Sequence, residues 1–450
     1  MTVVAFIIGV LIIVIGVGIS IGLHEIGHLV PAKRFGVKVT QYMVGFGPTI
    51  WSRKRGETEY GIKAIPLGGY IRMIGMFPPK PGEDPSMLRA SSTGRFSQLM
   101  DQARQQSMEE VGPQDRDRVF YKLAVPKKVV VMLGGPVMNF LIAAVLMTGI
   151  ITIYGVQVAK DGALVSSVSQ CVVPASASAQ TACKATDPRS PAFEAGLLPK
   201  DLITSINGVR ITPGTALGDL IRPRAGEATT IVYVRDGVTR TTSVIPVKNQ
   251  VGQIGPDGAL LKDAAGNPVT VEAGFLGVTS QSPIAVERQS VTAAPGYIGD
   301  ALGKTAGVFL NIPQKMVGVW HAAFSGAARD ANGPISVVGV GRIGGEVAAA
   351  DLGPDGLSTK IVFLLNMILS LNLALFVFNL IPLLPLDGGH VAGALWEGVK
   401  RSFARVTGRR DPGYVDVAKA LPIAYTMAVI LISMSALLIY ADLANPVKLF

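Results

Sequence analysis

An almost uninterrupted apolar run from Val3 to Leu23 ends in His24-Glu25-Ile26-Gly27-His28. A run of this length can cross a bilayer, which takes about 20 apolar residues. Imidazoles and a carboxylate at membrane depth are costly, and such groups are usually functional there. Histidines at i and i+4 lie one above the other on one helix face. Both rings can then reach one metal ion. The glutamate beside the first ring stays off the metal and can take a proton from metal-bound water. The plain alternative is a pair of interfacial histidines with a glutamate that snorkels to water.

Of 450 residues, 49% are hydrophobic and 16% are charged, against roughly a quarter charged in soluble domains. The apolar residues are gathered into a few runs, which indicates a polytopic α-helical membrane protein with soluble parts. The formal net charge is +10, but the basic residues cluster beside the apolar runs, where orientation in the membrane places them. With no basic stripe interleaved with aromatics, nucleic acid is excluded as a partner. The first run has no basic leader, is long for a signal peptide and has no clear A-x-A cleavage site, so it reads as a retained helix.

Four runs are long enough to span: Val3–Leu23, Val129–Tyr154, Ile361–Leu384 and Leu421–Tyr440. Lys33, Arg34 and Lys38 follow the first, Lys122, Lys127 and Lys128 precede the second, and Lys400, Arg401, Arg405, Arg409 and Arg410 lie between the third and fourth. Residues 33–128 and 385–420 are therefore expected in the cytoplasm, with both termini and residues 155–360 outside. Spans one and three then run in the same direction, and their C-terminal ends lie at similar depth. The third ends in Asn379-Leu380-Ile381-Pro382-Leu383-Leu384-Pro385-Leu386-Asp387-Gly388-Gly389, so Asp387 can meet His24 and His28. Two His and one carboxylate, with a fourth position open for water, make a catalytic rather than a structural zinc site.

These motifs resemble those of the site-2 proteases, intramembrane zinc metalloproteases, and Gly135-Pro136-Val137-Met138-Asn139-Phe140 is similar to that family's second-core-helix motif. The resemblance implies Zn2+ held by His24, His28 and Asp387, with Glu25 as general base. It also implies that Asn379, with Pro382 and Pro385, accommodates the substrate strand. Its bacterial members imply a multi-pass protein of the cell membrane, surrounded by lipid.

Residues 36–128 hold an alternating stretch from Glu59 to Met73 that reads as strands joined by a turn at Gly68-Gly69. In similar bacterial proteases such a β-rich loop dips toward the active site, and Gly69 and Tyr70 are candidate substrate contacts through edge-strand pairing. A purely structural hairpin is the alternative. Residues 78–114 read as a polar linker.

After the second helix (129–157), residues 158–248 resemble a single PDZ domain, on Ser190-Pro191-Ala192, Ala195-Gly196-Leu197, Lys200-Asp201-Leu202-Ile203 and Ile206-Asn207-Gly208. Such a domain binds a peptide end by strand addition or serves as a steric gate. Cys171 and Cys183 in this region form a disulfide or remain two thiols. In 249–360, Ile298, Leu302, Val308 and Phe309 suggest an amphipathic helix on the outer membrane surface. Gly339-Val340-Gly341-Arg342-Ile343-Gly344 follows a β-like Ile335–Val338 and fits G-x-G-x-x-G, but the βαβ unit and acidic partner of a dinucleotide site are missing. His321 reads as an ordinary interfacial residue, and His390 as either a support for Asp387 or a plain loop residue. The chain closes with the third span (361–390), a cytoplasmic loop (391–420) and the fourth span with the C-terminus (421–450).

The function so implied is hydrolysis of peptide bonds within transmembrane segments of single-span proteins first trimmed outside, such as anti-sigma factors or signal-peptide remnants. The competing reading is an inactive membrane-tethered PDZ scaffold. A transporter is disfavoured by having only four spans and no inverted repeat.

Overall fold

The computed structural model describes residues 2–78, 111–172, 183, 186–253, 261, 263, 267–327, 329–330, 333–353 and 356–447. Most of the linker expected at 78–114 lies outside the described residues. The chain divides into two units: Met1–Tyr154 with Gln289–Phe450, and Gly155–Arg288.

The first unit is built on helices α1 (Thr2–Arg34), α2 (Val125–Gly149, continued by a π-helical turn Ile150–Tyr154), α8 (Gly356–Asn379) and α10 (Leu421–Ala444). These lie in the four segments long and apolar enough to cross a membrane. α1 and α2 touch backbone to backbone: a Cβ on Gly27 would lie 2.2 Å from the Gly134 carbonyl oxygen, and one on Gly134 1.9 Å from the Gly27 oxygen. Small residues at a crossing let helices approach where lipid gives no hydrophobic drive. Ser20 and Asn372 tie α1 to α8, with Asn372 Nδ2 donating to Ser20 Oγ at 2.9 Å.

Two expectations are corrected here. The third apolar run is not one helix to Leu384. α8 stops at Asn379, residues 380–386 form a turn holding Pro382 and a cis Leu384–Pro385 bond, and a new helix α9 runs Asp387–Val406. Proline cannot supply the N–H a continuing helix needs, and it pushes its predecessor out of the helical region. The loop expected at 391–420 is thus largely helix. The other correction concerns the hairpin. β1 (Val39–Arg55) pairs antiparallel with β2 (Thr58–Met73), and the turn falls at Gly56-Glu57 rather than at Gly68-Gly69. Gly68 has φ +127° inside β2, and the register shifts there, as glycine-bearing bulges do.

The base of the hairpin is packed: Val37, Val39 and Met73 share a core with Leu29 and Ala32 of α1 and Val131 of α2. Its outer half is exposed and apolar at Phe46, Ile50, Trp51, Ile62 and Ile65. Helices α5 (Ala294–Leu310), α6 (Ile312–Phe324) and α7 (Val337–Ala349) complete this unit. The G-x-G-x-x-G stretch and the supposed strand before it lie largely on α7, capped by Ser336, whose Oγ accepts from Gly339 N at 3.1 Å. Gly344 faces Ile13 and Gly9 of α1, so these glycines serve helix packing.

The second unit carries strands β3 (Val156–Ala159), β4 (Ala163–Val168), β5 (Leu202–Ile206), β6 (Val209–Arg210), β7 (Thr229–Arg235), β8 (Val238–Val244), β9 (Val247–Gly252), β10 (Thr270–Phe275), β11 (Val278–Gln281) and β12 (Ile284–Glu287), with short helices α3 (Pro191–Glu194) and α4 (Leu217–Ile221). The main sheet has order β11-β4-β5-β7-β8, with β6 on β5. Val165, Leu197, Ile203, Ile206, Ile231 and Leu276 form its core. β3 pairs with β12, so the unit is pinned where the chain enters and leaves. Cys171 and Cys183 are joined in a disulfide.

Candidate metal centre

α1 presents His24 and His28 on one face, their rings 4.9 Å apart edge to face. Asp387, the first residue of α9, completes a triangle. Asp387 Oδ2 lies 3.4 Å from His24 Nε2 and 3.3 Å from His28 Nε2, and the two Nε2 atoms are 3.3 Å apart. Among the described residues these three are the group of His, Cys, Asp or Glu side chains able to converge on one ion. Asp387 Oδ2 is buried and accepts no hydrogen bond, an orphan that a buried carboxylate tolerates poorly.

The triangle fits zinc. Bonds of about 2.0–2.1 Å in a tetrahedral arrangement separate neighbouring ligand atoms by about 3.3–3.4 Å, matching all three observed edges. Three protein donors leave a fourth position for water.

The far side of each ring is also held. His28 Nδ1 is 2.8 Å from the Val131 carbonyl oxygen. A carbonyl only accepts, so Nδ1 carries the proton and the Nε2 lone pair faces the triangle. His24 Nδ1 meets the Asn139 amide at 3.1 Å. The atom placed there is Nδ2, while Asn139 Oδ1 is buried and unpartnered. Amide oxygen and nitrogen exchange by a half-turn. With Oδ1 toward His24, the orphan is satisfied and His24 takes the same tautomer as His28. Asn139 is the residue that sequence reasoning passed over as a site group. Its signal was present: Gly135 and Asn139 stand four apart on one face of α2, the spacing that pairs the two histidines on α1.

Gly135 is the floor of the site. A Cβ there would lie 2.2 Å from His28 Nε2 and 2.7 Å from His24 Nε2. Glu25 is buried, and β2 passes over it: a Cβ on Gly69 would meet Glu25 Cγ at 2.9 Å. The hairpin is fastened to α1 by Tyr42, whose hydroxyl donates to the Gly22 carbonyl at 2.8 Å.

The remaining candidates are dispersed around this centre. Tyr70 stacks on Phe46 at 6.2 Å and its hydroxyl is 3.4 Å from Gln41 Oε1. Asn379 ends α8, and Pro382 and Pro385 are exposed in the turn before Asp387. That turn folds tightly over α9: a Cβ on Gly388 would lie 2.3 Å from the Ile381 oxygen, which accounts for glycine following Asp387. His390 is half-buried in the first turn of α9 and lies outside the converging donors. His321 sits exposed on α6.

A family model for peptidase family M50 matches residues 12–418. The chain belongs to peptidase family M50. This M50 chain is 32% identical to the zinc metalloprotease Rip1 of Mycobacterium tuberculosis (strain ATCC 25618 / H37Rv) over 455 residues, covering 99% of each protein. It is 32% identical to the protein of the same name from Mycolicibacterium smegmatis, over 98% of this chain and 99% of that one. The putative zinc metalloprotease mll0638 of Mesorhizobium japonicum is 25% identical over 86% of this chain and 87% of its own length. This M50 protein is a membrane-embedded zinc metalloendopeptidase of the site-2 protease type, with Zn2+ as its cofactor.

Proposed function

We propose that this M50 protease hydrolyses peptide bonds in the transmembrane segments of single-span proteins, holding its zinc through His24, His28 and Asp387 and using Glu25 as general base. The observation that carries the proposal is the 3.3–3.4 Å triangle of two imidazole nitrogens and one carboxylate oxygen among helices apolar enough to span. Zinc in such a site lowers the pKa of water to about 7 and polarises a carbonyl.

The chain's own groups supply the rest. Glu25, adjacent to His24, takes the proton of the attacking water and returns it to the leaving amine. Val131 and Asn139 hold the imidazole tautomers that keep both Nε2 lone pairs free. A helical peptide bond is shielded by its own hydrogen bonds, and opening it in lipid costs several kcal/mol per group. β2 runs past Glu25 at Gly69, so its backbone can pair with an unwound substrate strand. Asn379, Pro382, Pro385 and Tyr70 flank that path.

The second unit acts as a PDZ-like gate that rejects substrates with a bulky outer domain, so cleavage follows a first cut elsewhere. Residues 33–128 and 385–420 are cytoplasmic, and residues 155–360 and both termini lie outside, in a bacterial cell membrane. Anti-sigma factors and signal-peptide remnants are the substrate kinds.

The test uses purified Glu25→Ala and His24→Ala with a single-span substrate. Glu25→Ala keeps zinc and loses cleavage, and His24→Ala loses both. Full cleavage by Glu25→Ala would defeat the assignment. In cells carrying Glu25→Ala, uncleaved stubs identify the substrates.

A further inference from the structure

The sequence between the third and fourth spans is strongly basic, and the structure turns most of it into a helix with two dissimilar faces. Ala394, Glu397, Arg401 and Ala404 face the protein. Glu397 binds Lys128 of α2 at 2.8 Å, and Arg401 lies over the Tyr414 ring at 5.0 Å. The other face carries Leu395, Trp396, Val399, Phe403 and Val406, which are 53–86% exposed. At about 100° per residue the centres of these two faces are about 180° apart. The apolar stripe therefore points directly away from the protein, uncovered among the described residues. Lys400 falls on one flank of the stripe; Arg405 is exposed beyond the opposite flank, nearer the protein-facing side, with Arg409 following and its guanidinium 5.9 Å from the Phe403 ring.

An apolar stripe with cations beside it is the pattern of a helix lying in the plane of a membrane interface. The cations snorkel to headgroups while the stripe enters the acyl boundary. α9 starts eight residues after the end of α8, a segment apolar enough to span, so its first turn begins close to the end of that segment. The charge sign selects the lipid, since basic residues beside a bilayer favour an anionic leaflet.

We propose that α9 is seated through Leu395, Trp396, Val399, Phe403 and Val406 on an anionic lipid surface, with Lys400, Arg405 and Arg409 on the headgroups. Asp387 is the first residue of the same helix, so the seat fixes the element that delivers it. The inference needs α8 to span a membrane, and it does not depend on the catalytic roles.

The full chain provides a clean labelling site, since both described cysteines are in the disulfide. Ser402→Cys, exposed on the stripe side of α9, takes a nitroxide. The protein is placed in vesicles of phosphatidylcholine alone or phosphatidylcholine with phosphatidylglycerol, and collisions with oxygen and with a water-soluble nickel chelate are read by electron paramagnetic resonance. With phosphatidylglycerol, oxygen collisions dominate. Nickel collisions rise in phosphatidylcholine alone and in K400E/R405E/R409E. Each basic residue is worth roughly a fivefold shift toward the seated state, so three shift it by about a hundredfold. K400Q/R405Q/R409Q gives the same direction should charge reversal prevent folding. Equal nickel access in both vesicles overturns the proposal. So does a nitroxide immobilised alike in detergent and lipid, which means protein rather than lipid covers the stripe, or dipolar broadening between labels, which means a second copy does. Neither zinc nor cleavage enters the readout, so its failure leaves the protease assignment untouched.

Discussion

Asn139 on α2 meets His24 on α1, amide against imidazole Nδ1 at 3.1 Å. A metal-binding imidazole needs its second nitrogen held, and such partners are worth about 10–100-fold in metal affinity. Asn139→Ala is expected to weaken zinc binding by that factor, measured by competition with a zinc indicator. Asn139→Asp, which keeps an acceptor for Nδ1–H, is expected to stay close to the parent.

Gly135 makes a sharper test of the same region. Gly135→Ala puts a methyl 2.2 Å from His28 Nε2 and 2.7 Å from His24 Nε2, and the rings must part. The expected outcome is loss of bound zinc and of cleavage, read by metal analysis. Gly18→Ala, on α1 with nothing within 4 Å of the added carbon, is the control and keeps both.

Lys128 and Glu397 are 5% and 2% exposed and lie 2.8 Å apart, with the Val415 N–H donating to Glu397 as well at 3.1 Å. Removing one partner of a buried pair leaves an uncompensated charge at about 3–5 kcal/mol. Glu397→Ala is expected to lower stability by this order, seen as a lower unfolding midpoint in detergent. Lys128→Met combined with Glu397→Leu is expected to recover part of the loss, since Arg401, 3.2 Å from Glu397, and the Val415 N–H still lose their partner; a double-mutant cycle checks this.

Asp201 and Arg235 give the second unit an acid limit. Burial by itself pushes the Asp201 carboxyl up, but the Arg235 guanidinium and the Leu198 N–H outweigh it, and the net shift is below the usual carboxylate range. A carboxyl whose pKa is lower folded than unfolded contributes stability above its unfolded pKa of about 3.9, and loses it as pH falls through the folded value. The protection of β5 and β7 amides, taken relative to the intrinsic exchange rate at each pH, is therefore expected to fall below about pH 4. Asp201→Asn removes this dependence and lowers stability at neutral pH by about 2 kcal/mol.

The legible parts of this chain are those fixed by short periodicities. His24 and His28 follow from the pitch of a single helix. Asp387 is reached by expecting two spans to end at one depth, and the structure brings the three side chains together. The parts that escaped depend on partners remote in sequence. α9 was hidden because the apolar run reads smoothly to Leu384, although Pro382 and Pro385 interrupt it and Leu395, Trp396, Val399, Phe403 and Val406 keep a helical period. Gly68-Gly69 resembles a turn locally, yet β2 passes through it because β1 offers a long partner. Asn139 gains its meaning only from the α1 backbone pressed against Gly134.

In the proposed site, His24, His28 and Asp387 together hold one zinc ion. Zinc K-edge absorption of the purified full chain, compared with Asp387→Ala, tests it most directly. The expected spectrum has two imidazole nitrogens and oxygen ligands at about 2.0–2.2 Å with no sulfur, and Asp387→Ala loses or alters it. An unchanged spectrum in Asp387→Ala would contradict the account.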